Sequence, residues 1–589
     1  MKKFRHITAI LSLVAVSAVF DSCSKSFLEK PVLGSLSEEV LANDKGLQRL
    51  LIGTYAALDG QNVGGGTWES APDNWIYGSV AGADAHKGSD ATDQPPIDRI
   101  GTGNSDPSNG FFNAKWVANY EGIARANAVL RVSALATDVS ADNLKLYQGE
   151  ARFLRAHYYF DLKKMFNMVP YVDETTTDLK APNDADIWPM IVADLQFAMD
   201  NLTDKSPAVG RVNKWAAAAY LAKALVYQKK FTEAIPVFNS IITSGKNTNG
   251  VAYGLNDRYE DNFDPAKKNS KESVFAIQMV ANAGTGDISS GNAGSMLNFP
   301  YGDSPFGCCG FYQPTFDLVN SFRTDGSGLP FLTGYNSEMV KNDMGIESAT
   351  AFTTYAGNLD PRLDWTAGRR GIPYKDWGIH PGKKWIRDQN YSGPYAPKKN
   401  IYWQSTKDTY SDRISWAPGS AININVIRYA DVLLLAAEAE AQAGSLTKAQ
   451  DYVNLVRARA AKPETMVYKY VNDATPLAGF STTPAANYVV ATYPVGSAAF
   501  SSKENALAAI YFERKLELAM EGHRYFDLTR WGIAPTVLNA YFTYEGQFTN
   551  DVKGGRFTAG KNEYYPIPQT QIDLSTKEGT PTLKQNPGY

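Results

Sequence analysis

Cysteine and histidine are scarce. The 589 residues hold 3 Cys and 5 His, so no disulfide framework can be built. The histidines, at 6, 86, 157, 380 and 523, show no zinc-ligand spacing. Two of the cysteines, Cys308 and Cys309, are adjacent, and they fit either a vicinal ring or two free thiols. His157 sits among apolar residues at helical spacing and reads as a packed core residue rather than a ligand. An excess of positive charge is also missing: 58 Lys and Arg stand against 61 Asp and Glu. That balance removes the cationic field that binding to nucleic acid needs. There is no Gly-x-Ser-x-Gly elbow and no phosphate loop.

Long apolar runs are confined to the N-terminus. Lys2, Lys3 and Arg5 precede an apolar stretch from Ile7 to Phe20, too short to span a bilayer and suited to a secretory signal over residues 1–22. Cys23 follows at once, which points to cleavage before it and acylation on it. Acyl chains supply about 0.8 kcal/mol per buried methylene, enough for a lipid anchor when several are present. Residues 23–36 then read as a tether.

What the chain has in quantity is apolar and aromatic side chains. Hydrophobic residues make up 44% and charged ones 20%, which favours a packed interior over disorder. Helical periodicity dominates residues 37–250 and 426–589, interrupted early by a Gly- and Asp-rich stretch, 59–110, that reads as loops and carries Trp68 and Trp75. Its acidic residues Asp84, Asp90, Asp93 and Asp98 fit a structural Ca²⁺ site or a solvated loop equally; no other cofactor is expected. Residues 221–241 can be laid over 436–456: Ala222 and Ala437 precede Phe231 and Leu446 by nine residues, and Phe238 and Val453 follow those by seven. Small residues let two helices approach and large ones fill the groove between them, as in tetratricopeptide helix pairs. Residues 251–425 differ. They are rich in Gly, Pro and Asn, and Met296–Trp403 holds 19 aromatics in 108 residues, against 12% for the chain. Loop-like sequence normally loses aromatics, so part of this surplus is expected to face a ligand. The fold class that follows is mainly α, a superhelix of tetratricopeptide-like pairs carrying a large irregular subdomain.

Near the C-terminus, Glu513, Glu517 and Glu521 recur every fourth residue beside Arg514 and Lys515. Carboxylates in a row on one helix point the same way and do not flank a scissile bond, and the nearby cations keep them ionised, whereas an acid catalyst needs a raised pKa. They are expected to tie the last repeat to the aromatic corner Tyr525, Phe526 and Trp531 rather than to catalyse.

Here the sequence resembles the SusD/RagB family of outer-membrane nutrient-binding lipoproteins. The resemblance rests on blocks in order: Glu150–Leu162 followed by Val169-Pro170-Tyr171-Val172; Arg428, Asp431, Leu434, Ala437 and Glu438; the Glu513–Gly532 stretch; Tyr564–Asp573; and the ending Gln585–Tyr589. It implies a non-catalytic protein at the cell surface, lipid-anchored in the outer membrane, that binds glycans and delivers them to a SusC-like TonB-dependent transporter. It also implies that the shared blocks are scaffold and that ligand contacts are aromatics of the early loops and the central segment. In this sequence those are Trp68 and Trp75, then Tyr301, Phe306, Phe311 and Tyr312, then Trp377 and Trp385. Nearby polar candidates are Asp73, Asn74, Asp303, Gln313 and Asp376. The chemistry is that of a sugar: an aromatic ring covers its C–H face while polar groups pair its hydroxyl rim. Peptide or glycopeptide capture by the same kind of system, and a secreted glycoside hydrolase, are the alternatives.

Overall fold

A computed structural model describes residues 37–60, 67–284, 291–412, 417 and 419–589. The signal segment, Cys23 and the tether lie outside the described residues.

Eleven helices form the frame: α1 (Asp44–Ala56), α2 (Gly110–Leu135), α3 (Ala141–Phe166), α4 (Trp188–Asn201), α5 (Lys214–Tyr227), α6 (Phe231–Ser244), α7 (Tyr429–Ala443), α8 (Leu446–Ala460), α9 (Lys503–Glu517), α10 (Arg524–Trp531) and α11 (Ala534–Glu545). Side-chain caps fix several starts. Ser140, Asn213, Ser445 and Ser502 each accept a hydrogen bond from a backbone N–H in the first turn, which satisfies donors that the helix itself leaves unpaired. Consecutive helices from α2 to α6 pack on one another, and α7 packs on α8 and α9. The helix pairs α5–α6 and α7–α8 are the two similar segments of the sequence. They are interrupted along the chain but adjacent in space, because α6 packs directly on α7. Every residue from Tyr429 to Ala441 is buried as a result. The fold is the expected mainly α, tetratricopeptide-like superhelix.

The interruption leaves and rejoins this frame through one paired gate. Strand β2 (Ser273–Ile277) pairs antiparallel with β4 (Ile424–Arg428), from Ser273 opposite Arg428 to Ile277 opposite Ile424, with the register shifting around Phe275. A second pair, β1 (Ala85–Gly88) with β3 (Phe311–Pro314), joins the early Gly/Asp-rich stretch to the central segment. That early stretch is more ordered than its composition suggests. It holds a wide helical turn at Trp75–Val80, β1 and a helix at Pro95–Gly101, because Trp75, Ile76, Tyr77 and Val80 are apolar enough to be pulled into the core. The C-terminal part is less helical than expected. Strands β5 (Tyr468–Tyr470) and β6 (Phe480–Pro484) form a hairpin where Pro, Gly and Thr replace helix formers.

The acidic run of the early stretch is engaged by cations of the protein itself. The Lys87 ammonium donates to the carbonyls of Asp90 and Asp93 and lies 3.2 Å from Asp98, and Arg387 pairs with the carboxylates of Asp90 and Asp93. Asp84 turns away to accept from the Met520 N–H.

Charge also closes the frame, along a path the sequence did not reveal. Glu513, Glu517 and Glu521 reach away from the aromatic corner. Arg362 of the central segment donates to Glu513 at 2.7 Å and Glu517 at 2.8 Å. Arg428 binds Glu272, Glu517 and Glu521, and Arg457 and Arg459 of α8 bind Glu513 and Glu517. The aromatic corner is held instead by Arg514, paired with Asp431 and Asp527, and by Arg530, paired with Glu438.

Candidate functional site

The irregular segments converge on one another. Trp75 donates its Nε1–H to the Gly294 carbonyl at 3.0 Å and meets Phe311 and Tyr312 edge-on. The Tyr301 N–H donates to the Trp385 carbonyl, and the Asn400 side-chain amide donates to the Asn298 carbonyl. Residues 67–78, 291–312 and 374–404, far apart in sequence, therefore form one body.

Most of the rings expected to face a ligand pack that body together. Trp75 is 1% exposed and Phe311 not at all. Tyr312 is buried and bonded to Ser79. Phe306 and Trp385 are buried in a cluster with Phe299, Tyr374 and Tyr402. Trp75, Phe311, Phe306 and Trp385 are corrected from ligand platforms to core, since a ring that fills a void gains more from dispersion and desolvation than from an exposed face; Tyr312, though buried, lines the cleft described below. Three polar candidates are internal as well. Asn74 binds Asp161, Gln313 donates to the Tyr395 carbonyl, and Asp376 accepts from the N–H groups of Gln404 and Ser405. Trp68, Tyr301 and Trp377 are half-buried and Asp303 is exposed. Tyr301 lies under the Arg387 guanidinium at 4.9 Å. Trp377 rests on Phe306, with ring centroids 4.7 Å apart, and is anchored by its Nε1–H on the Tyr402 carbonyl. Beyond it, Trp403 meets Phe480 of β6 at 6.2 Å.

Residues of all three segments line a polar cleft of about 80 Å³, among them Asp73, Asn292, Asn298, Tyr312, Lys399 and Asn400, with Glu521 from the frame; Trp68, Tyr301 and Trp377 do not line it. Ile422 lines it and also belongs to the aromatic cluster under Trp377. Burial raises the Asp73 carboxyl to about 6. Burial also lowers the Lys399 ammonium to about 8, although Glu521, 2.6 Å away, opposes the drop. Asn298 is fully buried, and neither its Oδ1 nor its Nδ2 has a hydrogen-bond partner in the protein; the Oδ1 atoms of Asn292 and Asn400 share that condition. Sequence reasoning placed Asp73 and Tyr312 here but missed the amides, since a lone Asn in Met296-Leu297-Asn298-Phe299-Pro300 carries no signal of its own. Cys308 and Cys309, bonded to each other, brace this region. The N–H groups of Cys309 and Phe311 donate to the Leu297 carbonyl and that of Gly310 to the Phe299 carbonyl, on either side of Asn298. A larger cavity, about 410 Å³, lies elsewhere, along α2 against the C-terminal tail. It is lined mainly by apolar side chains such as Trp116, Tyr120, Leu179 and Leu574, and none of the expected site residues reaches it.

Residues 271–589, more than half of the chain, match the profile of the SusD family. The chain belongs to that family. A second profile, described as starch-binding associating with outer membrane, matches residues 86–226. A SusD-like protein of Formosa agariphila is 26% identical over 438 residues, covering 71% of this chain and 70% of its own. Among solved structures, a SusD superfamily protein from Bacteroides vulgatus superposes with a TM-score of 0.66 at 21% identity, covering 93% of this chain and all of its own. Surface glycan-binding protein A from Bacteroides thetaiotaomicron, solved with laminarihexaose, gives 0.62 at 22% identity, covering 92% of this chain and 99% of its own. Against the SusD family background, the buried motif residues read as scaffold. Arg428, Asp431 and Glu438 all spend their side chains on internal ion pairs.

Proposed function

We propose that this SusD-family chain is a non-catalytic, lipid-anchored receptor that binds a glycan at the cell surface and passes it to a SusC-like TonB-dependent transporter. The observation that carries the reading is the convergence of three irregular segments around a cleft lined by Asp73, Asn298 and Asn400, in a SusD-family chain that also matches, over residues 86–226, a profile described as starch-binding associating with outer membrane. A neighbour in fold was solved with laminarihexaose, which supports sugar over peptide as cargo. The carboxylate row of α9 supports binding over hydrolysis, since Glu513 and Glu517 are sealed against arginines instead of facing a cleft. Trp68, Tyr301 and Trp377 are the rings left to cover a sugar face, and Asp73 and Asp303 remain as polar contacts. Cys23 would carry the anchor.

Affinity electrophoresis of the purified protein in gels containing laminarin, starch, xylan or alginate tests this. Retardation by at least one polysaccharide is expected, with the polysaccharide recovered at unchanged length. Trp377→Ala removes a few tens of Å² of apolar cover, about 1 kcal/mol, and should weaken retention about fivefold. Shortened polysaccharide would favour a hydrolase, and no retention in any gel would favour peptide cargo.

A further inference from the structure

The polar cleft is more specific in its chemistry than the rings around it. Asn298 presents both a donor and an acceptor, the pair that two neighbouring sugar hydroxyls can satisfy together. An amide buried without partners costs about 1–3 kcal/mol, a cost that folding alone does not justify. The amide is also held in place. The backbone N–H of Asn298 donates to the Ser295 carbonyl at 2.9 Å, its backbone carbonyl accepts from the Asn400 side chain, and the residues on both sides are hydrogen-bonded to Cys309, Gly310 and Phe311. Asn292 and Asn400 add two further acceptor oxygens without protein partners. The space, about 80 Å³, admits a few hydroxyl-sized groups, not a length of chain. Its charge is one-sided. Lys399, the one cation lining it, is committed to Glu521, while Asp73 lines it with no ion-pair partner among the described residues.

We propose that this cleft takes the hydroxyl edge of a single neutral sugar unit, with Asn298 as the specificity-determining residue, and that it turns away uronic and sulfated sugars. The inference rests on the glycan-binding reading above and adds which part of the sugar is read and which charge is excluded. An anionic group entering the cleft would lose its hydration and meet Asp73 with no uncommitted cation to receive it.

The test is retention of wild type and Asn298→Leu by laminarin, starch and xylan as neutral glycans and by alginate and carboxymethylated laminarin as anionic ones, together with the melting temperature of both proteins. Leu keeps the branched four-atom skeleton of the Asn side chain without a polar atom, and although its methyl groups take more room it removes an unpaired buried amide, so the variant should melt close to wild type while losing at least tenfold in retention by the neutral glycan that wild type binds. Wild type should pass alginate and carboxymethylated laminarin unretarded. A residue with only a structural role would lower the melting temperature instead. Should Asn298→Leu not fold, Asn298→Ser, which keeps one hydroxyl and fits the same space, should still lose several-fold. Neutral-glycan retention unchanged in a folded variant, or wild type held best by an anionic glycan, overturns this inference and leaves the glycan reading standing. No retention of wild type by any of the five overturns both.

Discussion

Glu517→Ala is expected to cost about 3–5 kcal/mol, the range for removing one partner of a buried ion pair, and to lower the urea midpoint of unfolding accordingly. Glu517 is fully buried and shared by Arg362, Arg428 and Arg459. Removing it strands three guanidinium groups whose remaining partners, Asp360, Glu513, Glu272 and Glu521, are already engaged. The network also sets an acid limit. Burial would raise the Glu517 carboxyl, but the three arginines outweigh it and hold the group well below the usual carboxylate range; Asp431 and Asp527 are lowered in the same way by their cations. A depressed folded-state pKa contributes stability that is present above the unfolded value, near 4, and is lost as pH falls through the folded one. Urea midpoints should therefore hold steady above about pH 5 and fall progressively below it, and Glu517→Ala should flatten that slope. A variant with wild-type midpoint and slope would mean that the arginines find compensation elsewhere.

Gly522→Ala is the second substitution expected to be severe. Gly522 has φ +75°, and a Cβ there would lie 1.9 Å from the Asp73 carbonyl oxygen. From the facing side, a Cβ on Gly78 would lie 1.8 Å from the Gly522 carbonyl oxygen. The backbone of the early turn thus sits directly on the backbone that follows α9, with no room for a side chain on either. The left-handed conformation costs an alanine about 1–2 kcal/mol, and forced separation of the two backbones about 1–3 more. Because Asp73 and Glu521 both line the cleft, the displacement falls on the site. Denaturation midpoints should drop by an amount equivalent to about 2–5 kcal/mol, and glycan retention should fall with them. Gly53→Ala, at a helical glycine with nothing near its Cβ position, should leave retention unchanged and denaturation midpoints no lower, since alanine is the better helix former, and serves as the control. Equal losses at the two sites would show that the effect does not come from the contact between segments.

These two positions show what a single sequence does and does not disclose. The helix pairs were legible because small and large residues recur at fixed spacing, and that spacing is a local property. The junction of α6 with α7 was not, because it depends on β2 finding β4 across the whole interruption. Carboxylates at every fourth residue of α9 could be recognised as scaffold, yet their partners, Arg362 and Arg428, come from segments whose position only the fold decides. In the site, residue type was a fair guide to region and a poor one to orientation. Trp75 and Trp377 have the same chemistry and similar loop-like surroundings in sequence. One fills the interior against Phe311 and the other remains half-buried on Phe306. Asn298 carries the opposite lesson: its meaning comes entirely from burial without a partner, a condition that exists only once Leu297 and Phe299 are bonded on either side.

Hydrogen–deuterium exchange of the full chain, with and without a neutral glycan that it retains in gels, tests the central claim most directly. Binding at the converged segments should slow exchange in residues 67–78, 291–302 and 398–404 together, leaving α2, α4 and α8 unchanged. Slowing confined to the groove along α2 and the C-terminal tail, or limited to one of the three segments, would contradict it.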